Sequence, residues 1–373
     1  MIWDIFLSRF HEEAFSAIIE KLKKVDPLDL DAGHVVIVPD RYTLSIEKLV
    51  YSSLPQKASF NISVLTLSRL AASLFPSGRF LSRQAAVMLT KKAIGRVAGG
   101  IKCFEKSIKF AGFAQNMYRE ICRFKSALVS PDSLMALSKE ASGEVSARLH
   151  DIALIYGEYE KLLEGRYTDT QGLLRIMAEG AVESPFIKNS RFYIAGYDEL
   201  SRAEYSCLKA VAAACRGICF AAVEEGELLS DIRQMARELG AKLAVKGIPH
   251  RRSESRGLIY KYIDEYGYRD GADCPDIKVI PNKDILEETE GVAQSITERV
   301  RSGMRFKDIL VVLCGISNYL YPLEKVFKRY GIPYYISEGK FLSDEPLFKA
   351  FACLLSAAEK CCEQADVLAF VKS

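Results

Sequence analysis

Cys215 and Cys219 lie four residues apart, near the spacing at which two thiolates share a metal ion, so zinc is the first chemistry to test. The remaining cysteines are scattered: Cys103, Cys122, Cys207, Cys274, Cys314, Cys353, Cys361 and Cys362. The histidines His11, His34, His150 and His250 are far apart, and Cys219 falls inside the apolar run 218–223, where a small buried thiol is ordinary. The expectation is free thiols in a reducing cytoplasm and no metal site.

Phosphate chemistry needs glycines whose N–H groups wrap the phosphates, a lysine that reaches the terminal ones, and a hydroxyl for Mg²⁺. Such a loop belongs between a first strand and a first helix. At that junction the chain reads Leu7-Ser8-Arg9-Phe10-His11-Glu12-Glu13, with no glycine and no lysine, and with two acids that would repel phosphate.

The elements that must position any site can be read from the apolar pattern. Residues 2–7 form a short apolar run, and Ala14, Phe15, Ile18, Ile19 and Leu22 then share one helix face. The β-branched run His34-Val-Val-Ile-Val38, closed by Pro39, fits a strand buried on both sides, as in a parallel sheet. Helix (43–53), strand (62–67) and helix (67–75) follow, and this alternation predicts an α/β unit. Helical periodicity dominates from Leu81 to about Leu174, with Ser130-Pro131-Asp132 as a capped helix start. Strands resume at 192–195 and 218–223. A glycine-, charge- and tyrosine-rich stretch containing His250, Arg251 and Arg252 reads as a connector. A second α/β pattern then has strands at 277–280, 309–313 and 331–336, with helices at 286–301 and 346–358.

The 373 residues predict two or three domains, and 49% apolar with 27% charged residues is ordinary for a protein with a sizeable core. A net charge of +3 restricts any nucleic-acid surface to a local patch. The amino terminus lacks the basic start of a signal peptide, and no apolar run reaches the ~18 residues a membrane span needs.

Three segments taken in order resemble the amino-terminal, helicase-like part of AddB-type subunits of bacterial helicase–nuclease complexes. The first is Val38-Pro39-Asp40-Arg41-Tyr42-Thr43 with Glu47. The second runs from Leu149 to Tyr159 and on to Gly165-Arg-Tyr-Thr-Asp169 and Leu173-Leu174. The third is Asp308-Ile-Leu-Val-Val-Leu313, Tyr321 to Phe327, and Tyr330-Gly-Ile-Pro-Tyr334, similar to the opening of the second motor domain in UvrD-like helicases. The resemblance spans about residues 2–358 and implies a RecA-like (P-loop NTPase-like) layout. A degenerate first domain would comprise 1–80 with 185–250, with an all-helical insertion at 81–184. A connector at 251–275 and an incomplete second RecA-like domain at 276–373 would follow. The family's nuclease domain and four-cysteine iron–sulfur cluster have no counterpart here.

The same resemblance identifies further missing motor features. Aligning the strand and the helix that follows it puts the paired acids of UvrD-like motors on Ala195 and Gly196; a rival alignment slides Asp198-Glu199 into place by three residues. After Val223 the chain reads Glu224-Glu225-Gly226-Glu227 with no glutamine, and Cys314 stands where an arginine is expected. These departures predict no ATP hydrolysis and no ATP–Mg cofactor in this chain. Strand-end loops of such a domain remain suited to single-stranded DNA: Arg41, Tyr42 and Thr43 after one strand, Thr66, Ser68 and Arg69 after the next, and Tyr197 as a stacking aromatic. Each has a structural alternative, with Thr43 and Ser68 as helix caps, Tyr42 in the core and Arg69 on a solvated face. The implied partners are single-stranded DNA and an AddA-type helicase–nuclease subunit, in double-strand break repair by recombination. A functioning DNA-dependent ATPase and a purely structural scaffold are the alternatives.

Overall fold

The computed structural model describes residues 2–26, 33–55, 57–74, 79–224, 226–248, 278–337, 342, 345–359 and 364–372. The connector at 251–275, with Arg251 and Arg252, lies outside the described residues. The chain divides into two compact units, Met1–Arg252 and Ser253–Ser373.

The first unit is built on a six-stranded, wholly parallel sheet. Its strands are β1 (Ile2–Ser8), β2 (His34–Ile37), β3 (Ile62–Leu65), β6 (Arg191–Ile194), β7 (Gly217–Val223) and β8 (Lys242–Gly247), in the spatial order β3-β2-β6-β7-β1-β8. All four residues of β2 are buried, which explains why its sequence is apolar on both faces rather than alternating. β2 pairs directly with β6 in the register Val36↔Tyr193, so segments more than 150 residues apart share one sheet, as the strand pattern predicts.

Helices cover both faces. On one, α1 (His11–Leu22) and α2 (Thr43–Ser53) bury Phe15, Ile18, Ile46 and Val50 against Val36, Val38 and Ala221. On the other, α3 (Leu67–Leu74), α8 (Thr170–Gly180), α10 (Arg202–Ala214) and α11 (Glu227–Leu239) pack on Trp3, Ile37, Phe192 and Phe220.

Between β3 and β6 the chain forms α4 (Arg83–Val97), α5 (Ala111–Ser126), α6 (Pro131–Glu140) and α7 (Gly143–Leu163), followed by α8 and the short α9 (Pro185–Asn189). Their core includes Ile94, Met117, Ile121, Leu134, Ile155 and Tyr159. Two corrections apply to the expected all-helical block. A parallel pair, β4 (Arg79–Phe80) with β5 (Tyr167–Thr168), closes its base, with Leu81 N–H donating to the Thr168 carbonyl at 2.9 Å. Two-residue strands leave no periodic trace, and the turn into β5 uses Gly165 at φ +66°. The last long helix, α8, also joins the core of the sheet through Leu173, Leu174 and Met177.

In the second unit, α12 (Ile285–Arg301) and α13 (Ile316–Tyr330) pack through Ala293, Ile296, Leu323, Val326 and Phe327. Two further helices, α14 (Pro346–Glu359) and α15 (Gln364–Lys372), complete it. The expected strands at 309–313 and 331–336 do not form, and the described residues of 277–280 hold none; among the described residues this unit has no strand. The 309–313 segment keeps a strand's alternation, with Ile309, Val311 and Leu313 against the helical core while Leu310 and Val312 are exposed. Among the described residues it has no neighbouring strand to pair its backbone groups, and alternation without a partner makes no ladder.

Candidate nucleic-acid interface

In an open parallel sheet, ligands bind beyond the carboxyl ends of the strands, where the direction of winding reverses. Here β2 is followed by β3 on one side and β6 by β7 on the other, so the reversal falls between β2 and β6. The helices leaving them, α2 and α10, pack on opposite faces, and the loops Pro39–Tyr42 and Ala195–Asp198 meet at this end of the sheet.

Asp198 ties this end of the sheet together. Its Oδ1 lies 2.6 Å from His11 Nε2, at the start of α1, and its Oδ2 accepts from Arg41 Nη2 at 2.8 Å. Its backbone carbonyl accepts from Leu228 N–H at 3.0 Å, reaching the start of α11. One residue therefore contacts the segments following β1, β2 and β7. The hydrogen bond from His11 is the largest influence holding the Asp198 carboxyl below its usual range; Arg41 acts in the same direction and partial desolvation opposes both. The Asp198 bond, in turn, raises Arg41 above the ordinary guanidinium range. With side-chain exposures of 63% for Asp198 and 58% for Arg41, this pair contributes at most about 1 kcal/mol.

The junction between β1 and α1 is short. Only Arg9 and Phe10 separate Ser8 from His11, whereas a glycine phosphate loop takes about eight residues. Ser8 is buried and its Oγ–H donates to Glu13 Oε2 at 2.7 Å. Glu12 and Glu13 place negative charge in the first turn of α1, where a helix amino terminus favours an anion.

The strand-end residues singled out from sequence fall into two groups. Arg41 and Arg69 are exposed and Ser68 is half-buried. Val38 N–H donates to the Leu65 carbonyl at 3.1 Å, so the β2 and β3 loops leave the sheet side by side. The other residues serve packing. Thr66 is buried and its Oγ1 accepts from Arg69 N–H at 3.2 Å, so Thr66 rather than Ser68 caps α3. Thr43 is buried inside the start of α2, its hydroxyl reaching the Pro39 carbonyl at 3.5 Å, and makes no cap bond. Tyr42 packs against the sheet core and carries the Arg41 guanidinium 4.8 Å above its ring centre. Tyr197 is 6% exposed within the opposite core, and burial pushes its phenol up, so it offers no ring face to a base in this structure.

Sequence reasoning missed the pairing of His11 and Asp198 and the role of Gly196. A Cβ at Gly196, which sits at φ +78°, would lie 2.8 Å from Tyr42 Cδ2; only glycine lets the two loops meet. The glycine itself was the available signal. Among the described residues, no cluster of three or more His, Cys, Asp or Glu could hold a metal ion, and no helix is long and apolar enough to cross a membrane.

A parallel α/β unit interrupted by helices, with the segments at its strand ends tied by its own charged side chains, is the class of domain that the fold defines. The family description "ADDB, N-terminal" matches residues 12–241, and the chain belongs to that family; it is an AddB-type sequence. It is similar to an ATP-dependent helicase/deoxyribonuclease subunit of Listeria innocua, 24% identical over 362 residues, covering 88% of this chain and 30% of that protein. It is also similar to the subunits of the same name from Staphylococcus saprophyticus (24% over 377 residues; 92% and 32%) and Acetivibrio thermocellus (24% over 352 residues; 86% and 31%). The chain thus spans about a third of the length of the curated relatives it matches.

Proposed function

We propose that this chain is the non-motor, DNA-contacting amino-terminal part of a helicase–nuclease subunit, acting in the cytoplasm in recombinational repair of double-strand breaks. Its first unit is a RecA-like domain whose nucleotide site has degenerated, and it works beside an AddA-type subunit that supplies the motor. The name of the relatives, which makes each of them one subunit of a helicase/deoxyribonuclease, supports the DNA substrate and the partnership.

The observation that carries this reading is the short, tied junction at the carboxyl ends of the strands. Where a phosphate loop would wrap a nucleotide, two residues join β1 to α1, and Asp198 links the segments around them. The exposed cations Arg41 and Arg69, with the Ser68 hydroxyl beside Arg69 in the first turn of α3, then suit the phosphates of a single strand. Tyr42, Thr43 and Thr66 hold those loops in place, and Tyr197 supports them from the core.

Fluorescence anisotropy with a labelled single-stranded oligonucleotide tests the proposal. Arg41→Ala and Arg69→Ala should each weaken binding by about 1 kcal/mol and flatten the salt dependence by roughly one counterion. Binding by both variants that equals wild type at every salt concentration would remove these loops from the interface.

A further inference from the structure

The Arg41 guanidinium, which the reading above assigns to a DNA phosphate, already has an anion. Asp198 Oδ2 accepts from its Nη2 at 2.8 Å. We propose that Asp198 is an internal competitor for that phosphate, holding Arg41 until a nucleic-acid strand displaces it. This inference rests on the DNA-binding reading and adds a negative regulator to it.

Three features separate a competitor from a structural ion pair. The first is that Arg41 does not depend on Asp198 for its position, because its guanidinium stacks on Tyr42 at 4.8 Å and Tyr42 is seated against Gly196. Removing the carboxylate leaves the cation presented. The second is exposure: Asp198 is 63% and Arg41 58% accessible, so the pair is weak, screened by salt and open to exchange. A buried pair of the same geometry would be a lock. The third is that Asp198 cannot drift away. Its backbone carbonyl is held by Leu228 N–H and its second oxygen lies 2.6 Å from His11 Nε2, so the carboxylate stays beside Arg41 and can return when DNA leaves. A carboxylate and a phosphate oxygen offer a guanidinium the same kind of acceptor, and only one of them can hold a given N–H at a time.

The test is a mutant cycle on the full chain, read by anisotropy with a labelled single-stranded oligonucleotide at low and moderate salt. Asp198→Asn should tighten binding about threefold at low salt, the size expected for release of an exposed pair, with the gain shrinking as salt rises. Glu199→Gln, which removes the neighbouring exposed charge, should give a smaller gain, and Asp198→Asn should give none in an Arg41→Ala background. Asp198→Ser serves as a second neutral variant if the asparagine protein does not fold. No gain in either neutral variant, a gain matched by Glu199→Gln, or a gain that survives in Arg41→Ala would each overturn the proposal. If wild type and every variant fail to bind the oligonucleotide, the DNA-binding reading falls and takes this inference with it. Binding by wild type without the Asp198 effect removes the inference alone.

Discussion

Gly196 is where side-chain chemistry and backbone geometry meet most tightly. Its φ of +78° and its 2.8 Å approach to Tyr42 leave no space for a methyl group on either count. Gly196→Ala should therefore lower the stability of the first unit by about 1–3 kcal/mol, measured by urea unfolding, and Gly196→Glu by at least as much. An unchanged unfolding midpoint would mean the loop relaxes freely. Restoring an acid here thus works against the fold as well as lacking a phosphate loop to act with. At this scale the sequence was partly legible. Arg41 and Arg69 could be singled out because they follow apolar strands, and the structure leaves both exposed. His11 and Asp198 could not be paired from sequence, since 187 residues separate them and their meeting depends on which strands become neighbours. Tyr197 was legible as an aromatic at a strand end, but the direction of its ring is set by a loop conformation that residue type does not encode.

At the level of elements, Asp169 determines how the helical block joins the sheet. Its Oδ1 accepts from Gly172 N–H at 2.8 Å, capping α8, while its Oδ2 accepts from Lys125 Nζ at 2.8 Å and Tyr159 OH at 3.0 Å. The Asp169 and Lys125 side chains are 1% and 10% exposed, so neither charge has much water to turn to. Asp169→Ala should destabilise the first unit by about 3–5 kcal/mol in urea unfolding, because it removes a cap and leaves a lysine with only Glu160, at 2.7 Å, as its counter-ion. A loss below about 1 kcal/mol would show that water or Glu160 replaces it. The Asp169–Leu173–Leu174 pattern was visible in the sequence, and its meaning is structural: a cap followed by two core leucines. The long helices were legible because each carries an apolar stripe. β8 was not, because it is an edge strand with a mostly exposed pattern and lysines at Lys242 and Lys246.

For the whole chain, strand–helix alternation was enough to place β2 and β6 in one sheet, because buried parallel strands are apolar on both faces and stand out. The same signal misled at 309–313, where the residue pattern of a strand is present and, among the described residues, the neighbour that would complete a ladder is not. Sequence periodicity reports which side chains want cover; pairing depends on what else is there. The reading proposed above has the strand-end loops of the first unit serve a nucleic-acid strand and not a nucleotide. Anisotropy of a labelled single-stranded oligonucleotide, titrated with the full chain with and without millimolar ATP–Mg²⁺ at constant ionic strength, tests it most directly. Saturable, salt-sensitive binding whose isotherm is the same in both conditions is the expected result. A saturable shift of that isotherm by ATP–Mg²⁺, or no DNA binding at any salt concentration, would contradict it.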